Sequence, residues 1–328
     1  MNKLYFTLFI LLSFSCFLVF ADIDPSSYSL LLGTIRKEAI ERALVILPPK
    51  ERVDIILMCE EMKKAKEATS LTDAESAYFI YKWMAQNFGV NKFINNDYSA
   101  TVYTKGEGSP GSLAEIFTIM CNYLKIESKS ISGYIKIKKR LNFMNLISKI
   151  TSTWNYILIN GEYYLVDVTM ASTLFDGLYF NDYYSDLFFA TKPEIFINFH
   201  FPKENNWQLL STPYTEEKFD SLPYVSDKFY LLGFKSFSPE NLDINGSGTI
   251  TFTLNYDESI KEIDIYAELL DYYFTVTEAN TKVNYSEGKV EITFDKNNQE
   301  LLYFIIECEP LYFDSFEDIT ILTYRLNP

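Results

Sequence analysis

The sequence predicts an α+β protein that begins with helices, continues in a mixed domain and ends in a β-sandwich. Apolar residues recur at helical spacing from about residue 26 to residue 88, and strand-like runs follow a further helix at 112–125. Beyond Pro223, short alternating runs are separated by Gly, Asn, Asp and Ser, as in a sandwich of two sheets. The expected organisation is an N-terminal helical segment at 22–70, a mixed domain at 71–223 and an immunoglobulin-like β-sandwich at 224–328.

The first 21 residues have the composition of a secretory signal peptide. Lys3 precedes the apolar run "LYFTLFILLSFSCFLVF", and the small residue Ala21 follows that run. We expect residues 1–21 to be removed and the mature protein to be secreted or to stay in the lumen of the secretory pathway. No later run approaches the ~18 apolar residues of a membrane span, so we expect no membrane-spanning segment after signal removal.

Two glycan acceptor patterns fit export. Asn245 in "NGS" and Asn284 in "NYS" match the acceptor pattern for N-linked glycans. Cys16 leaves with the signal, so an odd number of cysteines remains and at least one thiol has no partner within the chain. The three cysteines that remain, Cys59, Cys121 and Cys308, are too widely spaced for a disulfide scaffold or a structural zinc site.

Composition limits the class of partner. A hydrophobic fraction of 48% in 328 residues excludes a disordered or fibrous chain. The net charge of −15 opposes a phosphate-rich partner, so nucleic acid is not expected. We interpret the one basic cluster, "KIKKR" at residues 136–140, as a solvated loop.

Two helices and one hairpin can be placed from local signals. Thr72 and Glu75 predict a capping box at the start of "TDAESAYFIYKWMAQNF". The helix at 112–125 carries a core-facing apolar stripe that includes Cys121, which indicates a buried thiol and not a nucleophile. Asn160-Gly161 predicts a two-residue hairpin turn.

The hairpin turn predicts the pairing of the two strands that flank it. Ile159 should lie opposite Glu162, and counting outward sets Trp154 opposite Asp167 and Ser152 opposite Thr169. Ser152 and Asp167 would then be diagonal neighbours on one face, with Cα atoms about 7–8 Å apart.

Together these segments resemble the transglutaminase-like, papain-like cysteine hydrolases and, among them, the kyphoscoliosis peptidase group, over about residues 70–225. In that family a Cys begins a helix, a His precedes Ala-Trp-Asn on a strand, and an Asp ends an apolar run on the partner strand. "KGEGSPGSLAEIF" lies where the nucleophile loop would be, and "STWN" and "GEYYLVDVTMAS" lie where the other two motifs would be. The segments "HFP" and "WQLL" match the family's trailing part, in which His200, Pro202 and Trp207 are structural residues.

The resemblance implies a degenerate catalytic triad. Ser109 stands in place of the Cys, Ser152 in place of the His, and Asp167 is retained. A hydroxyl without a neighbouring base is a poor nucleophile, because the base creates the nucleophile and the third group holds the base. The residues expected at the former cleft are Gly108, Ser109, Trp154, Asn155 and Asp167.

Each of these positions also has a structural interpretation. Ser109 followed by Pro110 is a favourable N-cap and first position of a helix. For Asp167 two interpretations stay open, a structural carboxylate bonded to backbone amides or a relic of catalysis. His200, the only histidine, lies between Phe199 and Phe201, as expected of a packed residue.

Three functions compete. The first is a secreted pseudoenzyme that binds a protein or peptide. The second is an active hydrolase or acyltransferase that uses Ser109 with His200, or an unrecognised site. The third is a structural or adhesive glycoprotein whose 25 Tyr and 27 Phe form a sticky face. We expect no cofactor and no metal, and the sequence leaves the oligomeric state open.

Overall fold

A computed structural model defines the fold over ten stretches of the chain. It describes residues 23–91, 98–138, 146–171, 174–175, 179–180, 185–257, 263–271, 275–296, 301–310 and 319–327. The expected signal peptide, residues 1–21, lies outside the described residues. Within these stretches, no helix is both long enough and apolar enough to cross a membrane.

The helices of the described stretches are concentrated before residue 124 and recur as short pieces up to residue 231. They are α1 Lys37–Ile46, α2 Ile55–Thr69, α3 Asp73–Asn87, α4 Ser99–Lys105, α5 Pro110–Tyr123, α6 Val168–Ala171, α7 Pro193–Phe196, α8 Glu216–Asp220 and α9 Asp227–Leu231.

The strands fall into two groups, one in the mixed domain and one in the C-terminal part. The first group is β1 Gly89–Val90, β2 Glu107–Gly108, β3 Glu127–Lys138, β4 Ile147–Ile159, β5 Glu162–Val166, β6 Leu174–Phe175, β7 Tyr179–Phe180 and β8 His200–Pro202. The second is β9 Tyr224–Val225, β10 Phe234–Ser238, β11 Asp243–Ile244, β12 Gly248–Tyr256, β13 Ile263–Asp271, β14 Val276–Glu278, β15 Thr281–Ser286, β16 Lys289–Lys296, β17 Leu301–Pro310 and β18 Ile319–Leu326.

The predicted capping box is confirmed at the start of α3. The Thr72 side chain accepts a hydrogen bond from Glu75 N at 3.2 Å, and the Glu75 side chain accepts one from Thr72 N at 2.9 Å. Glu75 also binds Arg36 at 2.6 Å, and this hydrogen bond lowers the pKa of the Glu75 carboxyl to about 2. The box therefore ties the N-terminal helices to the mixed domain.

The sheet of the mixed domain has the strand order β5-β4-β3-β8 and carries α5 on one face. Asn155 on β4 holds this helix in place, because its Nδ2 donates to Ala114 O at 3.0 Å and to Thr118 Oγ1 at 2.9 Å. The helix begins and ends two residues earlier than the predicted 112–125, at Pro110 and Tyr123.

The hairpin prediction is confirmed at the turn but is wrong further out. Ile159 pairs with Glu162 as predicted, and pairing continues to Asn155 opposite Val166. At Asp167 the chain leaves the strand: its N–H donates to Phe188 O, and Thr169 lies in α6. The pairings of Trp154 with Asp167 and of Ser152 with Thr169 are therefore not formed, because α6 replaces the continuation of β5.

The interpretation of the basic cluster as a solvated loop is wrong for the part that is described. Lys136 and Lys138 belong to β3, and Lys136 is 5% exposed. Lys136 Nζ donates to Phe219 O at 2.8 Å and to Leu222 O at 2.6 Å, and Lys138 Nζ donates to Thr320 Oγ1. Lys136 therefore bonds the end of α8 and the residues after it within the mixed domain, whereas Lys138 reaches β18 of the C-terminal part.

The C-terminal strands form the predicted β-sandwich. One sheet has the order β10-β12-β16-β15, and the other β11-β18-β17-β13-β14 with β9 beside β18. The sheets face each other through aromatic rings: Phe252 of the first stacks on Phe304 of the second at 4.5 Å, and Phe294 lies 5.0 Å from Phe304. The α+β class with a terminal sandwich is thereby confirmed.

Candidate functional site

Ser109 begins α5 as its N-cap, as predicted from the following proline. Its Oγ accepts a hydrogen bond from Ser112 N at 3.2 Å and lies 3.0 Å from Ser112 Oγ, and Pro110 occupies the first helical position. The side chain is half-buried. Its hydroxyl therefore satisfies an otherwise unpaired amide of the first helical turn.

The loop that leads to Ser109 is tightly built. Gly108 in β2 pairs in parallel with Val90, and a Cβ at Gly108 would lie 2.5 Å from Val102 Cγ1. A Cβ at Gly111 would lie 3.8 Å from Thr153 Oγ1 and 3.9 Å from Ser109 Oγ. Thr153 is thus a β4 side chain that faces the start of α5.

The structure does not bring Ser152 to Ser109. Successive side chains of a strand point to opposite faces, so Thr153 and Asn155 face α5 while Ser152 and Trp154 face away from it. Ser152 pairs with Gly133 of β3, over which the Trp154 indole lies. Ser152 Oγ is buried and has no hydrogen-bond partner among the described residues.

On the face of the sheet that points away from α5, Asp167 forms a hydrogen bond with His200. His200 Nε2 lies 2.8 Å from Asp167 Oδ2, and both side chains are 0% exposed. With the carboxylate as acceptor, Nε2 is the donor. Asp167 follows β5 and His200 begins β8, so this hydrogen bond joins residues from the two opposite edges of the sheet.

The other oxygen of Asp167 is also occupied. Oδ1 accepts hydrogen bonds from Thr169 N at 2.7 Å, Thr169 Oγ1 at 2.6 Å and Met170 N at 3.2 Å. Asp167 therefore caps α6 with one oxygen and fixes His200 with the other. Of the two interpretations left open, the backbone-bonded structural carboxylate describes its observed contacts.

His200 is enclosed by rings. Its imidazole stacks on Phe196 at 3.9 Å and meets the edge of Trp154 at 4.8 Å and of Phe188 at 5.9 Å. The predicted packed histidine is observed, and no hydrogen bond joins it to Ser109. Its Nδ1 is buried without a partner among the described residues.

The trailing segment covers this interior. Pro202 pairs with Gly133, and Trp207 stacks on Tyr156 at 4.5 Å. A Cβ at Gly133 would lie closer than 3.0 Å to Phe201 O, to the Trp154 indole and to Pro202 Cα. Sequence reasoning missed Gly133, although a lone Gly inside a predicted strand signals such a close approach.

The three described cysteines are buried thiols. Cys59, Cys121 and Cys308 are all buried and none forms a disulfide. Burial raises the pKa of Cys59 to about 11, that of Cys308 to about 12, and that of Cys121 well above its usual value. All three are thiols near neutral pH and are inert as nucleophiles. Across the described ranges no group of three His, Cys, Asp or Glu side chains is arranged to hold a metal ion.

Comparison with known proteins identifies the class of domain. Residues 60–168 match the model of the transglutaminase-like superfamily, and this part of the chain belongs to that superfamily. The matched stretch contains α3, α5, β3, β4 and β5, and with them Ser109, Ser152 and Asp167.

Individual relatives agree with this class. The chain is 29% identical to human kyphoscoliosis peptidase over 195 residues, which are 55% of this chain and 29% of that protein. It is 31% identical to the mouse protein over the same length. It is also 26% identical to cytokinesis protein 3 of Schizosaccharomyces pombe over 282 residues, 80% of this chain and 31% of the relative. The similarity thus spans less than a third of each relative, and the resemblance to the kyphoscoliosis peptidase group is confirmed.

Proposed function

We propose that the chain is a secreted, non-catalytic transglutaminase-like protein that binds a protein or peptide segment beside Ser109. One observation carries the absence of catalysis. The chain has a single histidine, and that residue is fully buried and hydrogen-bonded to Asp167. No imidazole is left to take a proton from Ser109, so the hydroxyl stays a helix cap.

The second candidate is a serine hydrolase that uses His200. An Asp-bound imidazole with a free second nitrogen is the base half of a triad, and His200 has this arrangement. It would need Ser109 at hydrogen-bond distance from Nδ1. The observed bonds of Ser109 go to Ser112 on the other side of the sheet, which favours the non-catalytic proposal.

An adhesive aromatic surface receives less support. Among the described residues, the large exposed aromatic side chains are Tyr98, Tyr163 and Tyr285. They lie beside α4, in β5 and in β15, so they belong to separate elements. Most described rings are instead packed in the core.

The catalytic part of the proposal is tested by turnover. Purified residues 22–328 are incubated with mixed peptides, with and without an amine donor, beside Ser109→Ala and His200→Gln variants. We expect hydrolysis and amine transfer to equal the protein-free blank for all three proteins. Activity that depends on both Ser109 and His200 would establish the second candidate instead.

Secretion rests on the leader-like segment and on the acceptor asparagines. Asn245 and Asn284 are both exposed, as glycosylation requires. When the full chain is expressed in a eukaryotic secretory host, it should appear in the medium and lose apparent mass on deglycosylation. A variant with Asn245→Gln and Asn284→Gln should show no such shift. Retention of the wild type inside the cell with no glycan would contradict this part.

A further inference from the structure

Among the described residues, the outer edge of β4 has no partner strand over more than half of its length. β3 pairs with β4 from Ile147 to Leu158, whereas β5 pairs only from Asn155 to Ile159. The chain then turns away into α6, so the stretch 147–154 has no second neighbour within the described part. An unpaired edge presents a row of backbone donors and acceptors.

The register shows which residues present those groups. Lys136 N donates to Phe199 O and Lys203 N to Ser132 O, so even-numbered residues of β3 bond toward β8. Odd-numbered residues such as Gly133 therefore bond toward β4, and their partners on β4 are the even-numbered ones. Thr151 and Thr153 consequently direct their N–H and C=O groups outward. Thr151 is exposed and Thr153 half-buried, and neither backbone is hydrogen-bonded on that side by a described residue.

We infer that this edge, at Lys149, Thr151 and Thr153, receives an extended segment of another polypeptide as an added strand. The inference rests on the proposed function, for which it supplies the binding mode. Main-chain hydrogen bonds give such added strands their affinity. One end of the edge faces the start of α5 at Gly111, and the other end, at Ile147, packs against β13 and β17. A bound strand would thus run from the Ser109 loop toward the β-sandwich.

The charged side chains near this edge indicate which kind of segment would bind there. Lys149 Nζ binds Glu216 at 2.5 Å and Asp220 at 2.8 Å, and these carboxylates are 51% and 49% exposed. The carboxylates of Glu216, Glu217 and Asp220 outnumber the amino groups of Lys149 and Lys136 in this region, so negative charge is in excess beside the edge. A segment that carries Lys or Arg is therefore favoured. A second copy of the chain is disfavoured, because each copy carries a net charge of −15.

The test uses proline on the outward positions. Proline lacks an N–H, and at Thr151 that N–H points away from β3, so Thr151→Pro leaves the β3–β4 bonds intact. Thr151→Val is the matched control, since it changes the same side chain and keeps the N–H. The probe is a fluorescein-labelled peptide that alternates lysine with valine and threonine, and fluorescence anisotropy gives its affinity for the chain. Two comparison peptides carry backbone N-methyl groups or glutamate in place of lysine.

We expect Thr151→Pro to weaken binding about tenfold or more and Thr151→Val to change it less than about twofold. The N-methylated and glutamate peptides should bind more weakly than the lysine peptide. Circular dichroism spectra and thermal midpoints are measured for both variants, and we expect them to match, because neither substitution removes a β3–β4 hydrogen bond. A double variant, Thr151→Pro with Thr153→Pro, should lose the remaining affinity.

Three results would overturn the inference: equal affinity for both variants, no binding of the lysine peptide up to about 1 mM, or a wild-type dimer that Thr151→Pro dissociates. The last would show that a second copy occupies the edge. Failure of the non-catalytic part of the proposed function is seen separately, because it requires turnover that depends on Ser109. Failure of the binding mode alone would be seen as binding of the lysine peptide with equal affinity to Thr151→Pro and Thr151→Val.

Discussion

The start of α5 and the buried interior on the opposite face of the sheet hold different halves of the set of groups that a serine hydrolase needs. At the start of α5, Ser109 is half-buried and its hydroxyl caps a helix. In the interior, Asp167 and His200 form a fully buried pair between aromatic rings. A nucleophile-type residue and a base-type pair are both present, but β4 separates them. The comparison teaches that catalysis depends on which face of a strand each group occupies, and not on the presence of the groups.

Removing the Asp167 carboxylate should give the largest loss of folding stability. Asp167→Ala leaves His200 Nε2 and the amides of Thr169 and Met170 without an acceptor inside the protein. We expect the free energy of unfolding to fall by about 3–5 kcal/mol, the usual cost of breaking a buried pair from one side. Denaturant unfolding measures this loss.

The control variant is Glu240→Ala. It removes an exposed carboxylate whose partner Lys218 is 3.5 Å away, and it should lower the free energy of unfolding by less than about 0.5 kcal/mol. Equal losses for the two variants would contradict a buried structural pair.

Adding one methyl group to each region sharpens the comparison. Gly133→Ala forces a Cβ against Phe201 O, the Trp154 indole and Pro202 Cα in the interior, and it should destabilise the fold by about 1–3 kcal/mol. Gly111→Ala adds the same group beside Ser109, where the nearest atoms are 3.8 and 3.9 Å away. That variant should stay within about 0.5 kcal/mol of the wild type. Thermal unfolding of both variants tests the prediction, and a larger loss at Gly111 would reverse the account of the two regions.

Lys136 and Lys149 also differ in burial, because Lys136 is buried and Lys149 is partly exposed. Lys136 and Lys149 are directly opposite on β3 and β4. Burial lowers the pKa of Lys136 from 10.5 to about 7, whereas hydrogen bonds to Asp220 and Glu216 outweigh partial desolvation and raise the pKa of Lys149. Between pH 7 and 10.5 the unfolded chain therefore binds more protons at Lys136 than the folded chain does.

The free energy of unfolding should accordingly gain up to about 1.4 kcal/mol per pH unit from Lys136 as pH rises through that window. The measurement is the difference between the wild type and Lys136→Met, followed by denaturant unfolding from pH 7 to 10. Lys149→Met should not remove this slope. If the wild type and Lys136→Met show parallel pH profiles, the buried ammonium is not linked to stability.

The smallest loss of folding stability is expected for substitutions of Ser109. Ser109→Ala removes the acceptor for Ser112 N and should cost about 1 kcal/mol, whereas Ser109→Asn keeps a capping oxygen and should cost less. Thermal midpoints of the two variants provide the comparison. An equal loss for alanine and asparagine would mean that capping is not the role of this side chain.

Local signals made part of this structure predictable. The capping box at Thr72, the N-cap at Ser109 and the first pair of the hairpin depend on residues three or fewer apart, so the sequence alone determines them. The contact of Asp167 with His200 joins residues 33 apart from opposite edges of the sheet, and no periodic pattern in the sequence reports such a contact. The burial of Lys136 likewise depends on carbonyls that a distant segment supplies.

In the candidate site, too, some features could be predicted from the sequence and others could not. Resemblance to a family places Ser109, Ser152 and Asp167 in one triad, but strand alternation puts Ser152 on the face opposite α5. Strand alternation in the sequence indicates that Thr153 and Trp154 lie on opposite faces of the sheet. The structure is needed to show which face packs against α5 and that, within the described part of the chain, β5 ends at Val166 and leaves the edge at 147–154 without a partner strand.

The most direct test of this account is the side-chain NMR spectrum of the single imidazole. In an untagged, ¹⁵N-labelled chain, His200 gives one set of ring signals, since no other histidine is present. The account predicts a slowly exchanging proton on Nε2, a spectrum altered by Asp167→Asn and a spectrum left unchanged by Ser109→Ala. A ring proton that exchanges rapidly with water, or ring signals that shift with Ser109→Ala, would show that the imidazole reaches Ser109 and would contradict the separation of the two halves.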